Sequence, residues 1–100
     1  MMLVIDWLQR WYAAQVDGDW EHEYGVRIDT LDNPGWSLEI DLTGTSLEGH
    51  DFEEKRLDRS DSDWIRCRVE GGKFRGWAGP LNLSELLEVF RDWANKAPQK

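Results

Sequence analysis

Apolar residues recur along this chain at two different spacings, and the switch between them limits the possible folds more than any other feature. Near the start, Val4, Trp7, Leu8, Trp11 and Tyr12 fall three and four residues apart, the stripe of an amphipathic helix over about Leu3–Gln15. Gly18 and its flanking Asp residues end it, since both types accept turn conformations. From Tyr24 the interval drops to two. Tyr24, Val26, Ile28 and Thr30 alternate with Arg27 and Asp29, and after the turn Asn33-Pro34-Gly35 the residues Trp36, Leu38, Ile40 and Leu42 alternate with Ser37, Glu39 and Asp41. This predicts an antiparallel hairpin with one buried face, and Asp29, Glu39 and Asp41 on the wet one.

Further along, Phe52 and Leu57 anchor a polar stretch that reads as a short edge strand near Asp51–Asp58, then a loop. Ile65, Cys67 and Val69 alternate with Trp64, Arg66 and Arg68, and Gly71-Gly72 turns the chain tightly into KFRGWAG. Helical spacing returns with Leu83, Leu86, Leu87, Phe90, Trp93 and Ala94, behind Asn82 as N-cap and Glu85 as its capping-box partner. The order α-β-β-β-β-β-α predicts a single domain over residues 1–100 of the α+β class. Its antiparallel sheet has about four to five strands, with the N-terminal and C-terminal helices packed on one face.

Seven Trp residues in 100 are a large apolar reserve for a small core, and most are expected to be buried there. No apolar run reaches the ~18 residues that suggest a membrane span, and MMLVI lacks the basic flank and cleavage site of a signal peptide. A single cysteine, Cys67, rules out an internal disulfide and suits a reducing cytoplasm. The net charge of −8 argues against nucleic acid as partner. That charge is also uneven. From Asp17 to Asp51 ten carboxylates face Arg27 alone, a segment charge of −9, whereas Phe52 to Pro80 carries +1. A region so like-charged repels itself unless something complements it.

The densest part, DGDWEHEYG from Asp17 to Gly25, admits metal, acid/base and binding readings, besides that of a solvated turn. As an EF-hand it fails: counting from Asp17, His22 stands where the loop needs Gly and Ile28 where it needs Glu. His22, His50 and Cys67 are few donors for a transition metal. Acid/base chemistry needs a pocket that shifts one carboxyl pKa, and a loop of solvated acids does not supply it. The Cys-Arg pair beginning CRVEGG superficially matches a rhodanese loop, but Cys67 lies mid-strand in phase with Ile65 and Val69 and reads as a buried thiol. No catalytic, cofactor-binding or metal residue is assigned, and no cofactor is expected. Gly18 and Gly25 are expected to shape turns, and Trp20 and Tyr24 to pin the loop to the core. Asp17, Asp19, Glu21 and Glu23 are then displayed, with Glu21 and Glu23 projecting together if the strand begins early and His22 facing the other way.

The strings WLQRWY, DGDWEHEYGV and TLDNPGW, in that order and spacing, resemble the immunity protein 53 family of bacterial polymorphic-toxin systems. The resemblance covers Trp7 to Leu42 closely, and the run from Asn82 to Trp93 is similar but generic. Val16 stands where many members carry Cys. What the resemblance implies is a small cytoplasmic α+β protein that performs no reaction and neutralises a toxin by direct binding. Charge suggests how: a nuclease needs a basic groove for phosphates, and an acidic surface is steered to it. On that reading the partner-binding residues are Asp17, Asp19, Glu21, Glu23, Asp32, Glu39 and Asp41, with Trp20 and Trp36 as aromatic anchors. Three other readings stay open: an acidic face that only maintains solubility, a small acidic adaptor without a toxin partner, and a divalent-metal enzyme using the 17–23 carboxylates.

Overall fold

Helix α1 spans Val4–Gln15, as its apolar spacing predicts. The computed structural model of the chain describes residues 2–97. Val4 and Leu8 are buried on α1 and Trp7 and Trp11 half-buried, so the stripe faces inward, while Tyr12 stays 38% exposed at its margin. A single helical turn follows, α2 (Trp20–Glu23), so the first strand does not begin early enough to include Glu21 and Glu23. Five strands come next: β1 (Val26–Leu31), β2 (Gly35–Asp41), β3 (Lys55–Asp58), β4 (Trp64–Glu70) and β5 (Lys73–Ala78). Helix α3 (Leu83–Lys96) ends the described chain.

The strands form one antiparallel sheet in the order β1-β2-β5-β4-β3. The β1–β2 hairpin and the β3–β4–β5 meander are separate local units, and β5 joins them by pairing with β2 at the centre. One sheet face carries Leu38, Ile40, Ile65, Cys67, Phe74 and Ala78, all buried, and α3 lies over it. Gly76 makes that contact possible. A Cβ built there would stand 2.6 Å from Leu86 Cδ1 and 3.1 Å from its Cγ, so any side chain would force Leu86 out of its place.

Aromatic rings fill the space between the layers. Phe90 of α3 stands edge-on to Phe74 at 5.1 Å, to Trp11 at 5.1 Å and to Trp7 at 5.8 Å, which brings α1 onto the same side of the sheet. Edge-to-face contacts of this kind add roughly 0.5–1.5 kcal/mol each beyond the area they bury. The Cys67 thiol is 1% exposed, and burial pushes its pKa up to about 11. It is a packing residue.

Three local expectations give way. Ile28 and Thr30 are exposed although their phase points to the helix side, because β1 is an edge strand and α3 packs over β5 near the sheet's centre. β3 is only Lys55–Asp58; residues 51–54 are tied to α3 instead, by Phe52 against Trp93 and by the Trp93 indole N–H donating to the Asp51 carbonyl at 2.9 Å. Asn82 does begin α3, its carbonyl accepting from Leu86 N–H, but its side chain does not cap the helix. Its Oδ1 accepts from Trp64 N–H and its Nδ2 donates to Asp63 and Glu85, while Arg59 pairs with both of those carboxylates. This knot stitches α3 to the start of β4.

Candidate interaction surfaces

The acidic loop before β1 is held by its own acids. Asp17 Oδ1 accepts from the amides of Asp19 and Trp20, both at 2.9 Å, and Glu21 accepts from the amides of Asp17 and Gly18. Such side-chain-to-backbone bonds are how short acidic residues shape turns. The backbone amides of Trp20 and Asp19 hold the Asp17 carboxyl below its usual range, and hydrogen bonding within the loop lowers that of Glu21 as well. In the helical turn, Glu21 and Glu23 lie two residues apart and do not face the same way, which corrects the expectation that they project together. Asp19, His22 and Glu23 point to solvent.

Trp20 is turned inward. It is 6% exposed, its indole N–H donates to the Thr43 carbonyl at 2.8 Å, and its ring lies against Trp11, Tyr12 and Tyr24. Of the two roles the sequence offered it, the ring performs the anchoring of the loop to the core. Trp36 is half-buried at the start of β2, with its indole N–H on the Pro80 carbonyl at 2.9 Å.

On the hairpin's wet face the acids are matched across strands. Register places Glu39 between Arg27 and Arg75, and Asp41 opposite Lys73. Glu39 pairs with Lys73 at 3.0 Å, Arg75 at 3.2 Å and Arg27 at 3.4 Å. Asp41, expected in the open, is 3% exposed, because the Gly25 amide donates to it at 3.0 Å and Lys73 covers it at 3.3 Å. The two carboxylates raise the pKa of Lys73, Glu39 first. A segment charge of −9 counted along the chain is therefore not a surface charge of −9, since Lys73 and Arg75 of β5, from outside the segment, lie against its acids.

The predicted contact residues do not form one patch. Asp17–Glu23 sits at the start of β1 beside Glu39 and Asp41, whereas Asp32 and Trp36 sit at the far end, past a six-residue strand of roughly 20 Å.

The rest of the open face went unremarked as a site in the sequence. There the phase opposite Ile65, Cys67 and Val69 sets out Trp64, Arg66 and Arg68 on β4, with Trp77 on β5 beside them. The Arg66 guanidinium lies 5.8 Å from the Trp64 ring centroid and that of Arg68 5.3 Å from Trp77. A groove of about 430 Å³ runs between these residues and Arg56. The readable signal was two Trp residues on the polar phase of adjoining strands. Among the described residues, no group of three or more His, Cys, Asp or Glu side chains is arranged to hold a metal ion, and no helix is long and apolar enough to cross a membrane.

The two-layer α+β fold leaves one charged, aromatic-bearing face of the sheet uncovered by the helices. The family described as immunity protein 53 matches residues 5–95, and the chain belongs to that family. Membership makes it an immunity protein, with a protein toxin as the implied partner. No curated protein and no solved structure matches the chain.

Proposed function

We propose that this protein neutralises its cognate toxin by direct one-to-one binding, without performing a reaction, and that the Asp17–Glu23 loop contributes an acidic contact to a basic toxin surface such as a nuclease groove. The observation that carries this reading is the loop's construction. Trp20 and the Asp17 and Glu21 hydrogen bonds hold the backbone in place, so the carboxylates of Asp19 and Glu23 are presented with no backbone left to order at binding. Glu39 is matched by Lys73, Arg75 and Arg27 and adds little to that contact, and Asp32 and Trp36 belong to it only if the toxin spans the length of β1. Trp20 and Asp41 support the surface from beneath.

Electrostatic steering predicts that association with the toxin slows as ionic strength rises towards physiological, while dissociation changes less. Asp19→Asn with Glu23→Gln weakens the complex and leaves the fold unchanged. Co-purification with the neighbouring gene product, followed by rescue of cells from its toxicity, tests the reading directly. If the double variant rescues as well as the parent and binds with unchanged affinity, the loop is not in the interface. If no toxin is bound at all, the smaller claim of an acidic adaptor takes its place.

A further inference from the structure

Arginines face arginines on the open side of the sheet. Register puts Arg68 directly opposite Arg75 and Arg66 directly opposite Arg56, and like charges in those positions repel. Their compensation is partial: Asp58 is shared by Arg56 at 2.8 Å and Arg66 at 3.7 Å, Arg68 has Glu70 at 3.4 Å, and Arg75 shares Glu39 with Lys73 and Arg27, at 3.2 Å. Arg75 Nε is buried and lacks a hydrogen-bond acceptor among the described residues. Arg56, Arg66 and Arg68 keep 64%, 51% and 44% of their side-chain surface exposed. In a chain of net charge −8, the groove they line holds four cations against Glu54.

We propose that this groove docks a carboxylate-rich segment of a protein partner, with Arg56, Arg66 and Arg68 gripping its acids and the rings of Trp64 and Trp77 its apolar side chains. The forked guanidinium matches a carboxylate through two parallel hydrogen bonds. Trp and Arg are also the residues that concentrate binding energy at interfaces. Cation–π contact with Trp64 and Trp77 restrains the Arg66 and Arg68 guanidinium groups before any partner arrives, which lowers the ordering cost of binding. A protein segment fits better than a nucleic acid. A phosphate backbone is a long polyanion that meets the repulsion of the whole chain, whereas a short acidic segment on a folded partner senses charges within a Debye length of about 8 Å. The proposal is independent of the acidic loop, which lies at the other side of the sheet beyond β2.

A capped peptide of about eight residues, glutamates around one central leucine, titrated into isotope-labelled protein at low salt, tests it by NMR. Saturable shifts are expected at the indole N–H groups of Trp64 and Trp77 and the amides of Arg66 and Arg68, and they weaken at about 0.5 M salt. Arg66→Gln with Arg68→Gln should lower affinity about tenfold or more, the scale of one charge-assisted hydrogen bond, with an otherwise unchanged spectrum. Arg66→Lys, which keeps the charge and loses the fork, should fall between. Asp19→Asn with Glu23→Gln should bind the peptide as the parent does. The proposal is overturned if those four residues show no saturable shift at millimolar peptide, if the shifts map elsewhere, or if an oligothymidylate of equal length binds more tightly.

Discussion

Asp17 and Glu21 brace one turn, the Asp17 carboxylate accepting from the amides of Asp19 and Trp20 and the Glu21 carboxylate from those of Asp17 and Gly18. Both carboxyls ionise below their ordinary range when folded, so the order they confer is fully present above the unfolded pKa values and lost as pH falls through the folded ones. Amide protection at Gly18, Asp19 and Trp20 should therefore hold at neutral pH and fade below about pH 4. Asp17→Asn should mute that dependence. Cys67 gives a second check at this scale. Its thiol, buried and pushed up to about 11, should resist a thiol reagent in the native protein and react fully in denaturant. Trp93 bridges Phe52, Phe74 and Phe90. Trp93→Ala should cost about 3 kcal/mol, the low end for such truncations because the ring is only half-buried; denaturant unfolding measures it.

Between elements, the closest fit is α3 on β5. Gly76→Ala would force Leu86 to move when it is already 0% exposed and enclosed, and should destabilise by about 1–3 kcal/mol. Combining it with Leu86→Ala should cost less than the two changes summed, since the clash disappears with the side chain. Additive costs in that cycle would mean the contact is not what fixes the helix. The pairing of β5 with β2 has no such local device. Nothing in either strand's alternation names its neighbour, and the centre of the sheet depends on burial of both strands under α3.

At the scale of the whole molecule, the open sheet face turns a charge imbalance in sequence into a mosaic in space. Acids from the β1–β2 hairpin meet cations from β5, and arginines from β3 and β4 crowd beyond them. Edge position should set the order of local opening. Amides of β1, with Arg27 to Thr30 all exposed, should exchange before those of β2 and β5. If β1 amides proved as protected as those of β5, the hairpin would be a more integral part of the core than its burial implies.

Much of the architecture was legible because periodicity is a local property. The helical stripes, the hairpin turns at Gly35 and Gly71-Gly72 and the buried phase of Cys67 each follow from residues close together in the chain. The family resemblance, too, rests on contiguous strings. The site was less legible, since charge on a surface depends on which strands lie side by side. Asp41 reads as a wet acid until Lys73, 32 positions on, pairs across from it. Trp20 reads as an anchor for a partner or for the loop until Thr43 receives its N–H. The arginine pairs exist only once β3, β4 and β5 are in register. Sequence determined which faces the elements would bury; tertiary structure alone decided which charges would cancel and which would be left facing one another.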